Sequence, residues 1–441
     1  MGKFTSLSEL PKSTPADIEG VDFPSSLNNW VDGLPDDLLE LVSKIGKEGG
    51  GVWIVGGSIR QGLSGSIPNE YDLTTNFRPD KIMRLFPNSI PTGVDYGTVS
   101  VRLNHGSKLF EVTTLRCDQE YLDGRRPESV IFGNSLLADL ERRDLTINSI
   151  AVDLSRQKLY DPFGGCEDLQ NGIIRSVGDA KTRLSEDGLR VMRAYRFMDQ
   201  GSAGFWKPDK ELSQALPSCQ LMLKNVSKER IWSEFRKILS GHHASKVLEC
   251  MSVDGTLNTI FYGSKYVIEG QNNLTGLNAG DMVEARLALL LRKVDSEKLL
   301  RSMTAPKVVI NGVSELINRF THIPSCDEEK QLRLYRAVLG NRLNLQLACE
   351  SAIDTIGIED VKQALVSLPE NQVGNKALAD GNWLLEKTGL EKGIKLGRLK
   401  GWLHRIQIER DLASLEQIEE CLQTLSWEDG DPLGWPRLAW P

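Results

Sequence analysis

The feature that most constrains this chain is the apolar run Val52-Trp53-Ile54-Val55 and its abrupt end in Gly56-Gly57-Ser58, with Ile59 and Arg60 following. The run reads as a buried strand, and the glycines give it a sharp exit along which another group can approach the backbone. About a dozen residues on, Asn69-Glu70-Tyr71-Asp72-Leu73-Thr74-Thr75 reads as a second strand carrying two carboxylates one residue apart. Side chains alternate along a strand, so Glu70 and Asp72 face the same way.

Taken alone, Gly-Gly-Ser is a turn and an acidic pair is a solvated strand edge. Together they match what a nucleoside triphosphate requires: amides that can meet a phosphate, and hard oxygens that can hold Mg²⁺ against it. In that reading Glu70 and Asp72 are metal ligands. One ion activates an attacking hydroxyl; the other neutralises the triphosphate and the leaving group. Phosphoryl or nucleotidyl transfer is the chemistry this points to, with Gly56, Gly57, Ser58 and Arg60 on the triphosphate.

With 441 residues the chain exceeds what one core usually covers, so two to four domains are expected. No apolar run is long enough to span a bilayer, and the first 33 residues lack an apolar signal core. The seven cysteines form no CxxC pair, which fits reduced thiols in a cytoplasmic protein. The five histidines form neither HExxH nor His-Asp, which argues against a zinc protease or a phosphohydrolase of the His-Asp type. A net charge of −7 argues against broad electrostatic binding of nucleic acid but leaves room for a local basic face.

Along the chain, residues 1–33 are Ser/Pro-rich and read as a loose N-terminal extension. An α/β head with a mixed sheet is expected over 34–155, with a helix at 36–47, strands at 52–55, 70–74, 97–103, 108–113 and 150–154, and a helix at 80–86. Helical periodicity then dominates, giving an all-α remainder: a neck over 156–240, then a body and tail over 241–441. Helices are expected at 187–197, 228–239, 243–251, 281–292, 330–339, 359–368 and 400–425.

Three further stretches carry charge in informative patterns. In Arg142-Arg143-Asp144-Leu145-Thr146-Ile147-Asn148, Arg143 with Arg142 can hold triphosphate, while Asp144 and Asn148 can fix a ribose. In Ser185-Glu186-Asp187-Gly188-Leu189-Arg190, Ser185 reads as a helix N-cap. Asp187 and Arg190 then stand three apart on one helix face, an acceptor beside a donor. That edge matches the amino group and ring nitrogen of cytosine and adenine and mismatches uracil and guanine. Arg193 and Arg196, further along, are candidate nucleotide contacts. Arg116 and Asp123-Gly124-Arg125-Arg126 read as an adjustable polar loop.

These motifs, with Glu111-Val112-Thr113-Thr114, Asp161-Pro162-Phe163-Gly164-Gly165 and Glu229-Arg230-Ile231-Trp232, resemble the class II tRNA nucleotidyltransferases. These are the CCA-adding enzymes of the DNA polymerase beta superfamily, a class that also holds the bacterial poly(A) polymerases. The resemblance is dense from Val52 to about Leu239. It implies a catalytic head, a base-selecting neck, and a helical body and tail that bind tRNA. It also implies Mg²⁺-dependent, template-independent addition of C, C and A to the tRNA 3′ end from CTP and ATP, with release of pyrophosphate. By the same resemblance Asp187 and Arg190 select the base, Arg143, Asp144 and Asn148 contact ribose and phosphates, and 116–126 is the loop that switches from C to A. Glu111 is a candidate third carboxylate. Two departures stand out: Gln61 where the family has Asp, and Glu70 where it has Asp. An A-adding enzyme partnered by a CC-adding one is the alternative; a weakly active or inactive tRNA-binding protein is a further one. Arg292, Lys293, Lys307, Arg333, Arg336, Arg342, Lys395, Arg398 and Lys400 are candidate tRNA contacts.

Overall fold

The computed structural model describes residues 6–66, 68, 70–103, 108–117 and 131–440. Two compact units result, Met1–Gly263 and Ser264–Pro441.

The first unit is built on an eight-stranded sheet. Its strands are β1 (Val21–Asp22), β2 (Val52–Val55), β3 (Asp72–Thr75), β4 (Ile90–Gly93), β5 (Thr98–Val101), β6 (Phe110–Thr114), β7 (Ala151–Asp153) and β8 (Lys158–Tyr160). Their spatial order is β1-β8-β7-β2-β3-β6-β5-β4. Only β3 and β6 run parallel, so the sheet is mixed, as expected. All four residues of β2 are buried. Val52 and Ile54 join the core that holds helix Asp36–Lys47, whose apolar residues recur at helical spacing. Trp53 and Val55, on the other face, pack with Leu136 and Leu140. The register sets Val55 opposite Asp72, and Asp72 opposite Glu111. The exit of β2 and two carboxylates, one on each of the next two strands, therefore meet at one end of the sheet.

Several sequence expectations need correction here. Residues 6–33 are not loose. Strand β1 pairs with β8, Leu10, Leu27 and Trp30 are buried in the core, and Ser13 Oγ donates to the buried Asp153 at 2.6 Å. This stretch has no helical or strand periodicity because it packs as short turns. The sheet also runs past 155 to take in β8. Strands β4 and β8 are too short and irregular to show alternation. Strand β3 begins at Asp72, so Glu70 precedes the ladder. Past the sheet the unit is helical, with Ala180–Glu186, Leu189–Met198, Lys210–Cys219, Lys228–Leu239 and Ala244–Val253. It also carries a short parallel pair, Ile173–Ile174 with Lys207–Pro208, too brief to leave a pattern.

The second unit is helical throughout its described residues. Its expected helix over 400–425 is two, Ile394–Arg410 and Leu415–Thr424. Asp411 takes a left-handed conformation at φ 51°, and Ser414 and Gln417 form a reciprocal cap on the second helix. Some of the candidate tRNA contacts turn inward. Arg333 is buried against Glu329 and Asp411, Arg336 donates to the carbonyls of Leu368 and Pro369, and Arg342 pairs with Glu284. Lys293, Lys307 and Lys400 are exposed. Among the described residues, no helix is long and apolar enough to cross a membrane.

Candidate active site

The site grows from the end of β2. Gly56 sits at φ 76° and ψ −135°, a conformation reserved for glycine, and turns the chain into helix Gly57–Leu63. A β-carbon on Gly56 would lie 3.5 Å from Asp72 Oδ2 and 3.9 Å from an Arg143 nitrogen, so the turn lies against both. Ser58 Oγ is buried and has no hydrogen-bond partner among the described residues. Beside the turn, Glu70 and Asp72 are exposed while Tyr71 between them is buried. The alternation read from the sequence therefore holds although Glu70 lies outside the strand. Although Asp72 is open to the cavity, the surrounding protein partly desolvates its carboxylate and raises its pKa, which Arg143 pulls back and Glu70 raises further. Burial also raises that of Glu111, with added repulsion from Asp72 and Glu70. Three carboxylates thus repel one another at one spot.

Such a spot fits Mg²⁺. This ion keeps several waters and takes one or two protein carboxylates plus substrate phosphates. Among the described residues no group of three acidic, His or Cys side chains is arranged to hold a metal ion by itself. An open site of this kind needs none.

Arginines face the carboxylates, and each is held from behind. Asp139, with 0% exposure, accepts from Arg142 at 2.6 Å and from Arg143 at 3.0 Å. Burial opposes its ionisation, but the two guanidiniums outweigh that and lower its pKa. Asp144 accepts from Arg193 at 2.6 Å and from the Asn148 amide at 3.1 Å. These contacts hold it well below the usual carboxylate range despite burial. Asn148 in turn accepts from Arg60. Asp144 and Asn148 therefore act first on neighbouring side chains, and a ribose hydroxyl would have to use their remaining lone pairs. Arg196 pairs with Glu234 at 2.9 Å.

Asp187 and Arg190 do not share a helix. Asp187 ends helix Ala180–Glu186, and Arg190 lies in the first turn of Leu189–Met198. Ser185 is in the last turn of the first helix and caps nothing; its hydroxyl donates to the Lys181 carbonyl. Gly188 forces this break into close quarters, since a β-carbon there would meet the Met222 carbonyl oxygen at 2.4 Å. The two side chains are held separately. Asp187 accepts from the Leu189 amide at 3.0 Å and from Arg230 at 2.7 Å. Arg190 donates to Glu186 and, at 2.9 Å, to the Arg142 carbonyl.

These elements surround one cavity of about 830 Å³. Its walls carry eight arginines against four carboxylates, so it suits a polyanion. Gly56, Gly57, Arg60, Asp72, Arg116, Arg143, Asp144, Asn148, Asp187, Arg190, Arg193 and Arg196 are all on it. Glu70 and Ser58 are not among its lining residues. Arg116 donates to Thr98 Oγ1 at 3.2 Å. Asp123, Gly124, Arg125 and Arg126 lie outside the described residues. Sequence reasoning gave no role to Asp139, Glu186, Arg230, Glu234 or Phe197. Arg230 and Glu234 touch charged side chains distant in the chain, Asp187 and Arg196, whereas Asp139 and Glu186 touch arginines three or four residues away. Phe197 lies under the guanidiniums of Arg60, Arg193 and Arg196.

A glycine turn, adjacent strand carboxylates and an arginine-walled cavity at the end of a mixed sheet define a nucleotidyltransferase. Residues 52–175 match the family model of the poly A polymerase head domain, and 206–265 that of the probable RNA and SrmB-binding site of polymerase A. The chain belongs to the CCA-adding enzyme family. The CCA-adding enzyme of Lactobacillus helveticus is 31% identical over 405 residues, which cover 90% of this chain and 99% of that one. That of Geobacillus stearothermophilus is 33% identical over 370 residues, covering 81% and 88%. The crystal structure of the Bacillus stearothermophilus CCA-adding enzyme in complex with CTP superposes with a TM-score of 0.69 at 27% identity, covering 88% of this chain and 96% of that one. The Thermotoga maritima CCA-adding enzyme complexed with tRNA shares the fold, with a TM-score of 0.67 at 19% identity and coverage of 92% and 99%.

Proposed function

We propose that this chain adds C, C and A in turn to the 3′ end of tRNA from CTP and ATP, without a nucleic-acid template and with release of pyrophosphate. The observation that carries the reading is the single cavity in which Asp72 and Glu111 stand against an arginine wall that also holds Asp187 and Arg190. Asp72 and Glu70, with Glu111 beside them, would hold Mg²⁺. When bound, the metal lowers the pKa of the primer hydroxyl and neutralises charge on the triphosphate and leaving group. Gly56, Gly57, Ser58, Arg60 and Arg143 bind the triphosphate, with Arg193 and Arg196 adding charge. Asp144 and Asn148 meet the ribose. Asp187 accepts from the exocyclic amino group of C or A while Arg190 donates to the ring nitrogen. Because each is fixed by a different partner, their edge stays in place without a template. Arg116 and 123–126 serve the switch from C to A. The exposed lysines of the second unit bear on the tRNA backbone. Seven free cysteines suit a cytoplasmic setting.

Asp187→Ala tests the base-reading assignment. It removes one of two hydrogen bonds, so preference for CTP and ATP over UTP and GTP should fall about 10- to 100-fold. Competition between labelled nucleotides measures this. Unchanged preference, with the rate intact, would contradict the role given to Asp187.

A further inference from the structure

Phe197 is the side chain that the mechanism above leaves unused. The guanidinium carbons of Arg60, Arg193 and Arg196 lie 4.9, 5.4 and 4.4 Å from its ring centroid. The three come from two elements: Arg60 from helix Gly57–Leu63 behind the glycine turn, the others from helix Leu189–Met198. Each has a polar anchor, namely Asn148, Asp144 and Glu234 respectively. Three like charges within reach of one ring repel one another, and the carboxylates of Asp144 and Glu234 offset only part of that repulsion. Burial and the charges of Arg196 and Arg193 lower the Arg60 pKa to about 10, which still leaves it charged at neutral pH. The face of an aromatic ring carries negative potential, so it offsets that repulsion without neutralising any of the three.

We propose that Phe197 is a positioning residue whose ring gathers Arg60, Arg193 and Arg196 into one cationic cluster, organised before the triphosphate arrives. This rests on the reading of these arginines as triphosphate contacts. The ring acts through its electrons, so its size and its electrostatics can be separated experimentally. Phenylalanine analogues with one, two and three ring fluorines keep the shape and progressively weaken the face potential.

The affinities of full-length protein for CTP, inorganic tripolyphosphate and cytidine are measured across that series at position 197. The dissociation constants for CTP and tripolyphosphate should rise stepwise, reaching about tenfold with three fluorines, while that for cytidine stays constant. A flat series would overturn the proposal. So would a rise confined to cytidine and CTP, which would make the ring a stacking surface for the base. Arg60→Ala and Arg196→Ala serve as separate controls. If they bind tripolyphosphate as well as the unaltered protein, the triphosphate reading itself fails. If they lose it while the fluorine series stays flat, only the role of Phe197 fails.

Discussion

Asp72 is the residue on which most depends. It sits opposite Glu111 in the ladder, against the Gly56 turn and near Arg143. Asp72→Ala should abolish Mg²⁺-dependent nucleotide incorporation while leaving the fold intact by circular dichroism; an unaffected rate would remove it from the site. Glu70 is longer by one methylene than the Asp usual in the family. Glu70→Asp should therefore be tolerated or faster in the same assay, and total loss would mean that the site is built around glutamate. Behind them, the lowered pKa of Asp139 makes a pH statement. Its folded pKa lies below an unfolded value of about 3.9, so its contribution is present above about pH 4 and is lost as pH falls through the folded value. Asp139→Asn should cost about 3 kcal/mol at pH 7 in chemical denaturation, because Arg142 and Arg143 lose their buried partner. That deficit should shrink towards about pH 3; an equal deficit at both pH values would contradict the assignment. The residues proposed to touch substrate are legible in the sequence as motifs. Those that hold them from a distance in the chain, such as Glu234 and Arg230, are not. An ion pair like Arg230 with Asp187 spans 43 positions and leaves no local pattern.

At the scale of elements, long periodic stretches were read well and their ends poorly. The helix over 36–47 and the helix over 228–239 appear at the expected bounds, as Asp36–Lys47 and Lys228–Leu239. Each presents a continuous apolar stripe. The break between Arg410 and Leu415 was missed because apolar residues on both sides keep a helical spacing through it. The signal was present in Ser414-Leu-Glu-Gln417, a capping box. Ser414→Ala should lower the stability of the second unit by about 1 kcal/mol, read from a shifted denaturation midpoint. No shift would mean that packing alone sets that boundary. The same kind of error matters more at Asp187. Reading one helix through 187–197 placed Asp187 and Arg190 on a shared face. The observed break gives them separate supports while keeping both on the cavity wall.

For the whole molecule, overall charge misleads. The chain carries −7 in total, yet its cavity is walled by twice as many arginines as carboxylates. Composition averages over a surface, whereas function depends on what the fold brings to one place. The decisive measurement is primer extension by the full-length protein with Mg²⁺ on one tRNA with three different ends: lacking CCA, lacking CA, and lacking only A. Each is supplied with CTP, ATP or both. Growth of the bare tRNA to a complete CCA end is the expected result. Extension of only the CC-ended tRNA, by a single A, would contradict it and make this an A-adding enzyme dependent on a separate CC-adding partner. No extension of any end, with tRNA still bound, would contradict catalysis altogether.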